Sequence, residues 1–141
     1  MRIAEPLNSK FEARNPKQIR ISETANSKQY DLEGRTLQFA KEIRIFVKKL
    51  PFSIANREDR AQLVNSSGSV GANYIEANDS LSKKDFIMRI KICRKEAKES
   101  RFWLNLVDVG THSGLIGERD MLLQEATELM NIFGAILRNS Q

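Results

Sequence analysis

Four amphipathic segments joined by short breaks predict an all-α fold, an antiparallel up-and-down four-helix bundle. Three observations carry this reading. From Asp31 onward apolar residues recur at spacings of three, four and seven; no period-2 run suggests a strand; and proline is confined to Pro6, Pro16 and Pro51, which leaves the rest of the chain free to form long helices. The 141 residues suit one domain, assigned to residues 31–141, with enough chain for a sizeable core.

The first helix follows from Leu32, Phe39, Ile43, Phe46 and Leu50, with Ala40 and Val47 widening the stripe. Asp31 supplies an N-cap, and Pro51 favours termination because it pushes the preceding residue out of helical geometry. A second helix starts soon after Pro51. Its predicted inward arc holds Leu63, Val64, Ser67, Val70, Gly71, Tyr74, Ile75 and Ala77. Ser82 reads as the N-cap of a third helix, with Asp85 three residues on in an acidic variant of the capping box and Phe86 opening the apolar run. That helix should reach about Asp108 and align Phe86, Ile90, Cys93, Ala97 and Leu104, with Ile92, Trp103 and Val107 on further apolar positions. Gly110, Gly114 and Gly117 are read as a connection. Leu122, Ala126, Leu129, Phe133 and Ile136 then form the fourth stripe, supported by Leu123, Met130 and Leu137.

Residues 1–30 differ in character. They carry six Lys or Arg against three Glu, many Asn, Ser and Gln, and only scattered apolar side chains, so they bury too little surface to offset ordering entropy. They are expected to be a flexible basic tail, or a start-site or expression extension. The chain as a whole has a formal net charge of +5, of which the remaining residues contribute only +2. One cysteine excludes an internal disulfide framework, and no apolar run reaches the roughly 20 residues of a membrane span. The first residues also lack a secretory core, so a cytoplasmic location without membrane association is expected.

The functional candidate is the third helix. Lys83, Lys84, Lys91, Arg94, Lys95, Lys98 and Arg101 fall within an arc of about 120° on a helical wheel, with Asp85, Glu96 and Glu99 on another flank. Such a face suits phosphates, lysines acting as point charges and arginines as forked donors. Phe102, beside the arc, is placed to stack on a base. The plainer alternative is a solvated face with ion pairs along the helix or to a neighbouring subunit.

Ser66 to Phe86, SSGSVGANYIEANDSLSKKDF, crowds small residues into a helix. Gly68, Gly71 and Ala72 suggest close approach by another helix or subunit. Asn73 and Glu76, turned away from Leu63 and Tyr74, suit either a polar contact between subunits or solvent. Trp103 suits an interface anchor or simple burial. Catalytic residues, metal ligands and cofactors are not expected. His112 is a single histidine in a glycine-rich stretch, Cys93 lies on an apolar face, and SSGSVG lacks the lysine and preceding strand of a phosphate-binding loop.

Three stretches, YDLEGRTLQFAKEIRIFVKKLP, QLVNSSGSVGANYIEANDSLSKKDFIMRIKICRKEAKESRFWL and LLQEATELMNIFGAILR, closely resemble the four-helix-bundle proteins encoded in intervening sequences of bacterial large-subunit ribosomal RNA, over about residues 30–138. That family is similar to the accessory variability determinant of diversity-generating retroelements, a basic homopentamer that binds nucleic acid and its reverse transcriptase. The resemblance implies a four-helix protomer, a homopentameric barrel and no known enzymatic activity. Together with the basic helix, it leads to the expectation of a nonenzymatic, oligomeric protein that binds RNA or DNA. The alternative is a scaffold or accessory subunit that docks a polymerase or another nucleic-acid-bound protein.

Overall fold

In the computed structural model the described residues are 31–140, and they form four α-helices in chain order. These are α1 (Leu32–Val47), α2 (Ile54–Asn78), α3 (Lys83–Leu106) and α4 (Ser113–Asn139). The N-terminal tail expected from residues 1–30 lies outside the described residues. Each helix packs against its neighbour in sequence and α4 returns to α1, closing an antiparallel bundle.

Local chemistry sets the helix starts. Asp31 Oδ1 accepts from Gly34 N at 3.2 Å, Ser53 Oγ from Asn56 N at 3.0 Å, and Ser82 Oγ from Asp85 N at 3.1 Å. The fourth start departs from the sequence expectation. Gly114 and Gly117 lie inside α4 rather than in a connection, and only Gly110, with φ of 68°, makes the turn. His112 Nδ1 caps Leu115 N at 3.3 Å, and burial of Leu115 outweighs the helix penalty of two glycines, about 1 kcal/mol each. At its other boundary α3 stops at Leu106, short of Asp108, because Val107 turns to extended geometry.

The apolar stripes meet in one core: Phe39, Ile43 and Phe46 from α1, Leu63, Val70 and Tyr74 from α2, Ile90, Cys93, Ala97 and Leu104 from α3, and Leu122, Ala126, Leu129 and Phe133 from α4. Each fully buried phenylalanine or leucine contributes about 2–3 kcal/mol of transfer free energy. The Tyr74 and Phe133 rings sit 5.9 Å apart in a tilted contact between α2 and α4. Burial pushes the Cys93 thiol well above the ordinary cysteine range, which suits a core residue. Ile75, placed on the inward arc by its spacing, is instead 49% exposed. Ser66, left off that arc, is buried.

Polar contacts fix the helix pairs. Ser66 and Ser100 bring hydroxyl oxygens within 3.0 Å across α2 and α3. Thr36 donates to Leu32 O at 2.7 Å and lies directly against Gly71. Between α1 and α4, Arg35 Nε donates to Glu125 Oε2 at 2.7 Å and its Nη2 to Glu125 Oε1 at 2.9 Å and Glu128 Oε1 at 2.6 Å. Hydrogen bonding to Glu125 leads the causes that raise the Arg35 pKa. At the bundle end carrying both longer connections, buried Asn56 donates to Pro51 O and to Asp108 O, each at 2.9 Å, and accepts from Asp108 N at 3.0 Å.

Two substitutions test this framework. Asn56→Ala strands the Asp108 amide and two carbonyls, and should lower stability by about 2–4 kcal/mol, read as a lower urea midpoint at constant m-value. A methyl at Gly71 would come within 2.9 Å of Thr36 Oγ1, so Gly71→Ala should destabilise by about 1 kcal/mol despite its gain in helix propensity. The Thr36→Ala/Gly71→Ala double variant should recover part of that loss in a double-mutant cycle, because the clashing oxygen is gone.

Candidate nucleic-acid interface

Charge segregation along α3 survives in three dimensions, with one qualification. Lys83, Lys84, Lys91, Arg94, Lys95 and Lys98 are exposed, whereas Arg101 is half-buried. The Arg101 side chain lies over α4, with Nη1 3.7 Å from Met130 Sδ, and its buried Nε has no hydrogen-bond partner among the described residues. Helical spacing could place Arg101 on the basic flank but could not show that a neighbouring helix covers it.

The cations of this face are sparsely neutralised. Lys95 comes within 3.9 Å of Glu96 Oε2; among the described residues the other six make no ion pair. Burial pushes the Glu96 carboxyl up, Glu99 adds to the effect, and Lys95 pulls it back. Elsewhere arginines are engaged as struts: Arg35 with Glu125 and Glu128, and Arg89 of α3 with Asn73 Oδ1 of α2 at 2.9 Å. Free positive charge is thus concentrated on the outer and α4-facing flanks of α3.

Apolar groups border that charge. Met88 stands near its start, and Phe102 and Leu106 near its end, each more than half exposed. The Phe102 ring meets Trp103 edge to face, with centroids 4.9 Å apart and planes at 83°. Trp103 itself is half-buried and packs on the core of its own protomer. The α2-facing flank is more acidic: Glu76, Asp79 and Asp85 line an open groove together with Arg89, beside Leu81, Met88 and Ile92.

The small-residue candidates divide. Gly71 contacts Thr36 within the protomer, and Gly68 faces the Arg44 guanidinium, which is close enough to touch an added methyl at 3.6 Å. Ala72 and Glu76 are exposed. Asn73 joins α2 to α3 within the protomer, accepting from Arg89 and donating from Nδ2 to Ser69 O at 2.8 Å, a close helix contact. The wheel had turned Asn73 away from the core without showing that α3 lies on that side. Among the described residues no group of three potential metal ligands occurs, and no helix is long and apolar enough to cross a membrane. His112, the single histidine, is the α4 cap. One cation beside the α3 face comes from α4, Arg138, which a reading of one helix at a time could not supply.

No functionally curated protein matches the chain. Its fold is similar to the crystal structure of a protein of unknown function from the S23 ribosomal protein family of Bacteroides thetaiotaomicron VPI-5482, at 27% identity and a TM-score of 0.63, over 74% of this chain and 96% of that one. Residues 28–134, most of the chain and all but the last turn of the bundle, match the sequence model of the 23S rRNA-intervening sequence proteins; the chain belongs to that family.

Proposed function

We propose that this protein is a nonenzymatic nucleic-acid-binding bundle that meets the phosphate backbone of structured RNA through α3. One observation carries the reading: six exposed cations share one face of a helix, and of these six only Lys95 has a described carboxylate within 4 Å. Phosphates are the partner such a face is built to take, since each contact releases condensed counterions without needing base-specific geometry. The match to the 23S rRNA-intervening sequence proteins is compatible with an RNA partner. A nonenzymatic role is supported by the state of the two side chains most suited to catalysis: the Cys93 thiol is buried and held protonated, and His112 is a helix cap.

Assembly belongs to the same proposal. A homo-oligomer, pentameric by family resemblance, would repeat the α3 face around a ring and turn weak contacts into avidity. The exposed Ile75, the small Ala72 and the apolar residues flanking the basic row offer surface for such contacts. A cytoplasmic location fits a protein that binds RNA. Exposed Phe102, Leu106 and Met88 favour one second reading, in which the face docks a protein such as a polymerase already bound to nucleic acid.

The test uses the full chain, with solution mass measured first. Fluorescence anisotropy with a ribosomal RNA fragment at about 50 and about 200 mM salt should show affinity falling steeply as salt rises. Lys91→Gln/Lys95→Gln/Lys98→Gln should keep its helical circular dichroism, lose about 30-fold in affinity at the lower salt, and flatten the log–log salt slope by about two to three. Absence of binding to RNA and DNA even at low salt would remove this reading and leave the protein-docking one.

A further inference from the structure

The α3 face does not end at α3. Arg94 extends across the groove toward α4, and Arg138 in the last turn of α4 extends back, so that both side chains reach over Gly134. A methyl group at Gly134 would stand 3.5 Å from Arg138 Nη1 and 3.9 Å from Arg94 Cδ. Any larger side chain would displace the Arg94 stem or the Arg138 guanidinium. A glycine in a helix interior costs about 1 kcal/mol relative to alanine, and here it leaves room for the Arg94 stem and the Arg138 guanidinium to pass over the same backbone.

Nothing acidic answers this pair among the described residues. The positions one turn from Arg94 on α3 are Ile90, Lys91, Ala97 and Lys98, and those preceding Arg138 on α4 are Gly134 and Ala135. Neither guanidinium forms an ion pair with a described carboxylate, in contrast to Arg35 and Arg119, which do. Two neighbouring cations without a carboxylate leave a positive potential that a bound anion would offset. Forked donors carried on two adjacent helices suit the several acceptor oxygens of a phosphate better than they suit a point charge.

We infer that the α3–α4 groove holds a phosphate-binding clamp formed by Arg94 and Arg138 over Gly134. The ligand is a phosphate group: either a phosphodiester of a nucleic-acid backbone or a free phosphate. The first source rests on the function proposed above; the anion site does not. If the source is nucleic acid, its backbone is drawn off the outer crest of α3 into the groove toward α4.

Two measurements on the full chain separate these claims. In the first, inorganic phosphate is titrated while the arginine Nε–Hε resonances are followed by NMR. Arg94 and Arg138 should shift together and saturably, with Arg57 and Arg60 on α2 as internal references, and Arg138→Gln should abolish the Arg94 response. Equal, unsaturable drift of all arginines, or no response from the pair, would overturn the clamp. In the second, RNA affinity is compared for wild type, Arg138→Gln, Arg94→Gln and the double variant, each checked for native circular dichroism. Each single change should cost about 5-fold or more, and the double should cost less than the product of the singles, because both groups hold one phosphate. A saturable phosphate response without RNA binding would keep the clamp, assign its source to free phosphate and remove the proposed function. RNA binding that is unaltered in Arg138→Gln, with a silent arginine pair, would keep the proposed function and remove the clamp.

Discussion

Close approach on both sides of α2 is the constraint on which the bundle rests. Its central turns present Gly71 to α1 and Ser66 to α3, so two neighbours come near enough for Thr36 and Ser100 to touch it. Leu63, Val70 and Tyr74 then point between those neighbours toward α4, where Tyr74 meets Phe133. Bulkier side chains along these flanks would hold the helices apart and open gaps beside the apolar stripe, which close-packed interiors tolerate poorly. The Ser66–Ser100 contact adds a directional requirement within an otherwise apolar environment, and such buried polar contacts favour one helix register over its neighbours.

The helix count, the apolar stripes and two of the caps were legible in the sequence because they depend on residues within one or two turns of each other. Asp31 and Ser82 cap the helices they precede, and Phe39, Ile43, Phe46, Leu122 and Leu129 point inward as their spacing requires. What escaped depends on contacts between elements. Gly114 and Gly117 looked like loop residues because propensity is local, whereas burial of Leu115 and the His112 cap decide that α4 begins before them. Asn56 gave no signal, since its partners are main-chain groups of two connections remote in sequence. The candidate face divides in the same way. A helical wheel collects the cations of α3, but it carries no information on which neighbour covers Arg101, which residue engages Asn73, or which α4 side chain meets Arg94.

Arginine serves two purposes in this small domain. Arg35 and Arg89 are struts, their guanidiniums engaged by side-chain acceptors on adjacent helices; two carboxylates offset the Arg35 charge, while Arg89 meets a neutral amide. Arg94 and Arg138 have no acidic partner among the described residues and project into a shared groove beside exposed lysines. The acidic rim of Glu76, Asp79 and Asp85 adds to this asymmetry on the opposite flank of α3. A modest surplus of positive charge is therefore concentrated where it can act, giving the molecule a polarity that its net charge does not convey.

The anchoring of Asn56 gives the bundle two unequal ends. Where the α1–α2 and α3–α4 connections run side by side, one amide group fastens both, and Leu50, Val107 and Val109 seal the core beneath it. Among the described residues the opposite end carries the short α2–α3 turn, with Leu81 almost fully exposed, the outer ends of α1 and α4, and a hydrogen bond from Asn78 Nδ2 to Glu33 Oε2 at 3.0 Å. Because α2 and α3 stay joined by their turn at that end, local opening is expected in the outer ends of α1 and α4, and amide exchange in those two helices should slow toward the Asn56 connections.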